Sequence, residues 1–375
     1  MKIRVERDGF ADAVAWAARI LPQKAALPVL AGLRIDVGKD GGVELSGFDY
    51  EVSAQAQVDA TVTEDGSILV PGRLLADIVR SLPPQPIDLA TDGSRVTVSC
   101  GSSRFTLPTL PLDEYPTLPS MPSVAGTVGS DAFAAAVGAV AVAAGRDDAL
   151  PVLTGVRVEI DGEQVTLAAT DRYRLAVRTL RWAPTEVGMQ ATALVPARTL
   201  ADAAKSLTSG AEVTLSLSSN GPGEGLIGLS GAHRSTTSRL LDGEFPKYRS
   251  LLPDTASATA TIDSAALTDA VRRVALVASR TSPIRLSFSA DGVVLEAGGV
   301  DEAEAQESLP GSFEGEPLTI AFNATYLLDG LGSLDSDEAR LAFTGPTKPA
   351  VLTGKADADG GADHRYLLMP VRLAT

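Results

Sequence analysis

Pro71-Gly-Arg-Leu-Leu-Ala-Asp-Ile-Val-Arg-Ser-Leu82 decides how this chain is organised. Leu74, Leu75, Ile78, Val79 and Leu82 recur at three- and four-residue steps, the spacing of one apolar helix face. Arg73, Asp77 and Arg80 fall on the other face. The pattern returns 125 residues on as Pro196-Ala-Arg-Thr-Leu-Ala-Asp-Ala-Ala-Lys-Ser-Leu207. After a further 127 residues it returns more loosely as Asn323-Ala-Thr-Tyr-Leu-Leu-Asp-Gly-Leu-Gly-Ser-Leu334. One helix written three times at nearly one spacing predicts three copies of one domain.

Other stretches align on that ruler. Leu27-Pro-Val-Leu-Ala-Gly-Leu-Arg-Ile-Asp-Val37 is echoed 123 residues later by Leu150-Pro-Val-Leu-Thr-Gly-Val-Arg-Val-Glu-Ile160. The third copy keeps only Ser282-Pro-Ile-Arg-Leu-Ser-Phe288. A first helix is expected in each copy over about 8–21, 130–144 and 264–278, with Asp8, Ser130 and Ser264 as N-caps. Asp40-Gly, Asp161-Gly and Asp291-Gly signal hairpins, and Asp49, Asp171 and Asp301 mark the following turns. Glu114-Tyr-Pro116 and Glu244-Phe-Pro246 close the first two copies. The expected domains are therefore 1–120, 121–253 and 254–375. Each reads βαβββαβββ, an antiparallel sheet with two helices on one side, in the α+β class. The period is far too long for a solenoid. Sheet edges left at the two ends of such a chain favour a closed dimer in which the first domain of one chain meets the third of another.

Composition sets the outer limits. Of 375 residues, 45% are hydrophobic and 21% charged, which describes a globular chain with cores of Val, Leu, Ile and Ala. The single cysteine, Cys100, permits no intrachain disulfide and fits a reducing compartment. The charged N-terminus does not read as a signal peptide, and the apolar run Ala132–Ala144 is too short to span a bilayer. A cytoplasmic protein is expected. A net charge of −15 argues against a tight grip on phosphates. A basic strip inside an acidic shell would still give weak, sequence-independent contact with nucleic acid.

Catalytic chemistry finds little support. No Gly-rich loop ends in Gly-Lys-Ser/Thr, and no Cys/His set has metal spacing. His233 and His364 occupy equivalent places in two copies and read as surface strand starts. Carboxylates are too numerous for any one pair to stand out as a hydrolase site. No catalytic residue, metal or cofactor is expected. By spacing alone, Arg73, Asp77 and Arg80 form solvated surface pairs worth ~0.2–0.5 kcal/mol each. Repetition of the register at Arg198, Asp202 and Lys205 points instead to a shared basic face, to which Arg19, Arg272 and Arg273 add charge.

Four further motifs carry a resemblance: Ala169-Thr-Asp-Arg-Tyr-Arg-Leu-Ala176, Glu244-Phe-Pro-Lys-Tyr248, Phe322-Asn-Ala-Thr-Tyr-Leu-Leu-Asp329 and Tyr366-Leu-Leu-Met-Pro-Val-Arg-Leu373. With the three copies, they make the whole chain resemble the bacterial sliding clamps, the beta subunits of DNA polymerase III. The Ala-rich, acidic composition suits an actinobacterial member. The resemblance implies a head-to-tail homodimeric ring with helices lining a hole for double-stranded DNA. A clamp loader would open it, and replicative and translesion polymerases, mismatch-repair factors and ligase-type factors would dock by short peptides. No enzymatic activity is implied. The alternatives are a three-domain binding scaffold unrelated to DNA and a hydrolase with an unrecognised carboxylate pair.

Carried over by position, the implied peptide pocket has one wall at Leu153, Thr170, Arg172, Tyr173, Arg174 and Leu175. A second comprises Pro246, Leu251, Asn323 and Tyr326, and a third Leu367, Met369, Pro370, Val371, Arg372 and Leu373. Met suits a surface that accepts varied peptides. Many relatives have a small residue and His where Arg172 and Tyr173 stand, and some have Arg at Ser250, so peptide preference is expected to differ. Lys24, Arg146 and Arg280 match loop positions that touch DNA, and Arg73, Arg80, Arg198 and Lys205 are expected to face it from the helices. Phe105 and Leu107 are expected opposite Leu276 and Val277 at the ring seam.

Overall fold

The computed structural model describes the chain apart from residues 25–26, 39–41, 219–224, 254, 279–282, 299–302, 356–362 and 373–375. Asp40, Arg280, Ser282, Asp301 and Leu373 therefore lie outside the described residues. The α-helices are α1 (Arg7–Ala18), α2 (Gly72–Ser81), α3 (Ser130–Ala141), α4 (Ala197–Ser206), α5 (Ser264–Val274) and α6 (Ala324–Gly332). They fall where the three-fold register puts them.

Packing refines that reading. In α2, Leu75, Ile78 and Val79 are buried, as is Leu82 just beyond the helix. Leu74, expected on the same apolar face, is 49% exposed. In the repeat its place is taken by Thr199 and Tyr326, so this helical position points away from the sheet in a way the residue type conceals. The expected caps also shift. Ser264 is the first helical residue of α5, and the cap is Asp263, which accepts from the Ala266 amide at 2.7 Å. The Ser130 hydroxyl donates to the Gly210 carbonyl, and Asp8 lies inside the first turn of α1.

Between α1 and α2 the chain forms four strands, not the expected three: Gly32–Val37, Gly42–Phe48, Val52–Glu64 and Gly66–Pro71. The unrecognised break is at Gly66, whose φ of +141° glycine adopts without a Cβ penalty. The strands pair antiparallel and alternate inward and outward. Cys100 illustrates the alternation: Val96, Val98 and Cys100 are the three inward residues of Arg95–Cys100.

By their contacts the described residues form two compact units, 1–130 with 202–240 and 131–201 with 241–375. In the first, Val52–Glu64 is a long central strand. It pairs with Arg234–Arg239 through residues 52–56 and with Lys2–Val5 through residues 60–64. In the second, Arg174–Arg181 pairs with His364–Leu368 inside a nine-stranded sheet, and Leu318–Phe322 ends a separate four-stranded one. No helix among the described residues is long and apolar enough to cross a membrane.

His364 corrects another expectation. It is 8% exposed, whereas His233 lies at the surface. The Ser333 hydroxyl donates to the Gly330 carbonyl at 2.6 Å, which leaves its oxygen to accept from His364 Nε2 at 2.8 Å. Burial, reinforced by the charge of Arg178, lowers the His364 pKa to about 4. In the unfolded chain the ring protonates near its ordinary value of 6.5. Between those values the unfolded state binds the extra proton, so stability falls as pH drops and is unaffected above about pH 6.5. About 2 kcal/mol should be lost between pH 7.5 and 5 through this group. Urea midpoints should show a shallower pH slope in His364→Gln; an identical slope would remove His364 from the acid response.

A candidate peptide-docking cleft

The site is built on the turn Asp171–Arg174. Asp171 Oδ1 accepts from the amides of Tyr173 at 3.0 Å and Arg174 at 3.1 Å, and the Asp171 amide donates to the Arg174 carbonyl at 3.3 Å. The Thr170 hydroxyl donates to the same carbonyl at 2.7 Å. Closing the turn holds Arg172 at φ +78°. Arg172 and Tyr173 are thrown outward, while Arg174, the first residue of the next strand, goes inside at 5% exposure. The first copy repeats the turn: Asp49 Oδ1 accepts from Glu51 and Val52 at 3.0 and 2.7 Å, and Tyr50 has φ +75°. The turn thus belongs to the repeat, and the side chains at its tip distinguish this site.

Helix α6 supplies the opposite wall. Asn323 Oδ1 caps it by accepting from the Tyr326 amide at 3.1 Å. Tyr326, Asp329 and Gly330, three and four residues apart, share a face. Arg174 is held against that face. Its Nε donates to Asp171 Oδ2 at 3.0 Å, its terminal nitrogen to Asp329 Oδ2 and to the Tyr366 hydroxyl at 3.3 Å, and its guanidinium lies 4.4 Å from the Tyr326 ring centre. Burial opposes the charge on Arg174, but Tyr366 and Asp329 outweigh it and raise the pKa. The Tyr366 hydroxyl donates to the Tyr326 carbonyl at 2.9 Å, and burial pushes its own pKa up. A Cβ on Gly330 would sit 2.6 Å from the Tyr366 ring, so glycine here is what lets that ring reach the helix. Above Arg174, the rings of Tyr173 and Tyr326 stack with centres 6.1 Å apart and planes at 23°.

These groups open on a cleft of about 460 Å³ within the second unit. Of the expected pocket residues, Leu153, Arg172, Tyr173, Arg174 and Tyr326 line it. Thr170, Leu175 and Leu367 are buried at 5%, 1% and 3% exposure and do not line it; Leu175 and Leu367 belong to an apolar cluster with Val177, Phe245, Tyr248 and Leu252. Asn323 caps α6 and is not among the residues that line this cleft. Pro246 is half-buried and Leu251 is 51% exposed; both lie off the cleft's lining. The Leu251 turn is tied down because the Tyr248 hydroxyl donates to Glu159 at 2.8 Å. The tail passes alongside: the Met369 amide donates to the Tyr173 carbonyl at 2.9 Å and the Val371 amide to the Ala321 carbonyl at 2.8 Å. Met369 and Val371 stay 41% and 37% exposed, Pro370 is half-buried and Arg372 exposed.

Asp147, Leu150, Asp171, Thr325 and Asp329 also line the cleft, beyond the residues expected there. Leu150, Asp171 and Asp329 stand out in the sequence as marks of the repeat, which is the available signal. Arg146, expected to face DNA, lines this cleft too. The loop after α3 and the 3-10 turn Pro151–Thr154 put it beside Leu150 and Leu153.

Lys24, Arg73, Arg80, Arg198 and Lys205 are exposed. Arg73 donates to the Leu21 carbonyl, and Arg80 sits 3.9 Å from Asp77, so part of this charge is locally engaged. In the third copy, Arg272 pairs with Asp269 at 3.2 Å and Arg273 with Glu307 at 2.6 Å. Leu276 is 84% exposed, Val277 half-buried and Phe105 38% exposed. Leu107 is only 1% exposed, although it lies two residues from Phe105 and so on the same face of Ser103–Pro108; of the two, Phe105 is the accessible one.

An α+β chain of three clamp domains is the class that this fold defines. Residues 1–119 match the family model of the DNA polymerase III beta subunit N-terminal domain, 127–247 the central domain and 249–372 the C-terminal domain. The chain is 57% identical to the beta sliding clamp of Streptomyces coelicolor, over all of both proteins. It is 46% identical to the beta sliding clamp homolog GriR of Streptomyces muensis, over 99% of each. The solved structure of the sliding clamp of Pseudomonas aeruginosa bound to griselimycin superposes with a TM-score of 0.90 at 28% identity, covering all of both chains. The chain belongs to the DNA polymerase III beta subunit family, the beta sliding clamps.

Proposed function

We propose that this chain forms a homodimeric ring around duplex DNA and holds DNA polymerases there by short peptides docked in the cleft of Tyr173, Arg174 and Tyr326. The observation that carries the reading is identity of 57% along the whole length of a beta sliding clamp. The working domains are 1–120, 121–253 and 254–375. Lys24, Arg73, Arg80, Arg198 and Lys205 face the DNA, and Leu276, Val277 and Phe105 meet across the seam. Repair factors share the cleft with polymerases, a separate loader ATPase opens the ring, and the protein works in the cytoplasm at the nucleoid.

A net charge of −15 suits retention by enclosure. A tight phosphate grip would be strongly salt-dependent and would hinder sliding. Loaded by its loader on nicked circular DNA, the protein should stay bound in high salt and be lost when the circle is cut. Equal, salt-sensitive loss from circular and linear DNA would refute enclosure.

A further inference from the structure

Two strand pairings join one copy of the domain to the next, each inside one compact unit, and they are built from different chemistry. Four residues past the turn aspartates Asp49 and Asp171 stand Ser53 in the first copy and Leu175 in the second. Both are buried and face the following copy, Ser53 opposite Thr237 and Leu175 opposite Leu367. At the first junction the Ser53 and Thr237 hydroxyls share a hydrogen bond at 2.6 Å, and the Thr236 hydroxyl donates to the Ser53 carbonyl at 2.6 Å. The other buried residues of 52–56 are Ala54 and Ala56, which offer little apolar area. At the second junction Leu175, Val177, Val351 and Leu367 form one apolar cluster, onto which the linker lays Phe245, Tyr248 and Leu252. That linker thus covers strands of both copies. Glu159 pins it by accepting from the Tyr248 hydroxyl at 2.8 Å and from Arg249. The linker after the first copy is different: Tyr115 clusters with Val29, Phe48 and Leu69, all of the first copy.

Resting on the reading of the chain as half of a ring that opens, we propose that the first junction is the compliant one and the second the rigid one. Opening then bends each chain between its first two domains and leaves the cleft of Tyr173, Arg174 and Tyr326 undisturbed. The reason is what water can replace. A hydroxyl pair that parts finds water as a substitute partner, so the net loss is small. Parting Leu175 and Val177 from Leu367, Phe245 and Tyr248 exposes apolar area, for which water offers nothing in exchange. Charged contacts follow the same division. Beside the first junction Arg234 donates to the Ser206 carbonyl at 3.1 Å and to Asp12, with its guanidinium 5.7 Å from the Trp16 ring centre. Asp12 is 70% exposed, so solvent screens that pair. At the second junction the cation is Arg174, 5% exposed and held between Asp171 and Asp329, and a pair so buried is far harder to break.

Hydrogen exchange of the full-length wild-type protein, read by mass spectrometry, tests the junctions without DNA. Amides of 52–56 and 234–239 should exchange about tenfold or more faster than those of 174–178 and 364–368. Equal protection, or stronger protection at the first junction, overturns the proposal. A second arm measures loading by the loader ATPase on nicked circular DNA. Residues directly opposite one another on paired strands are close enough to be bridged by a disulfide. Joining Ser53→Cys to Thr237→Cys should slow loading by about fivefold or more, and reduction should restore it. Joining Val177→Cys to Arg365→Cys across the second junction should leave loading within about twofold of the wild type. Thermal melts check that both variants are folded, and Cys100, being buried, is kept. Any other pattern, with both bridges slowing loading, neither doing so, or only the second, overturns the proposal and leaves the ring standing. Failure of the unbridged wild type to load overturns the ring reading instead, and the exchange rates still decide which junction is the compliant one.

Discussion

Arg174→Ala is expected to destabilise the second unit by about 3 kcal/mol and to abolish peptide binding. The residue is 5% exposed and is the cation shared by Asp171, 13% exposed, and Asp329, 34% exposed. Removing it leaves two carboxylates facing one another without a counter-charge, and unpairing a buried ion costs far more than an exposed pair is worth. The figure lies at the lower end of the usual range because water reaches Asp329. Three other contacts go with it: the hydrogen bond to the Tyr366 hydroxyl, the packing on the Tyr326 ring and the support beneath the stacked tyrosines. Urea unfolding and peptide titration should both register the change. Adding Asp329→Asn should recover part of the stability, since one of the two uncompensated charges is then removed. If stability stays within about 0.5 kcal/mol of the wild type, Arg174 is not the structural cation of this site.

Leu276→Asp should turn the proposed dimer into a monomer and abolish retention on circular DNA. Leu276 is 84% exposed, just past the end of α5, so the substitution removes no packing within the chain. The melting temperature of the isolated chain should barely move. At a closed seam, by contrast, a carboxylate would be driven into apolar surroundings with no partner, at a cost of several kcal/mol for each of two symmetric contacts. That is enough to shift the dimer–monomer balance by more than a thousandfold. Sedimentation at micromolar protein distinguishes the outcomes: a Leu276→Asp protein that stays dimeric would place the seam elsewhere. Leu107→Asp is a poor version of the test, since Leu107 is 1% exposed and its loss would unfold the first unit instead.

Much of this molecule is legible in sequence because its repeats are. Three occurrences of one helix align the strands, and the same register picks out Asp171 and Asp329. The additional strand carries a signal of its own, the Asp65-Gly66 pair inside the polar run 63–67, which is of the kind that marks the other hairpins. Leu74 departs from its expected burial for a different reason. Helical periodicity locates a stripe, but how wide a part of it the sheet covers depends on what lies opposite. Loop position does not reveal that Arg146 lines the cleft beside Leu150 and Leu153.

What the sequence determined by itself was what short-range periodicity governs: the helices, most of the strands, their three-fold order and the Asp-centred turns at Asp49 and Asp171. What only the tertiary structure decided was which of those elements meet. Arg174 and Asp329 are 155 residues apart in the chain and share one hydrogen bond, and Arg174 meets Tyr366 across 192. Those contacts exist because Arg174–Arg181 pairs with His364–Leu368 and Gly330 leaves room for the Tyr366 ring. Local patterns record the free-energy preferences of neighbouring residues. Long-range pairing is settled by which faces can be buried together, and no single stretch of the chain carries that information.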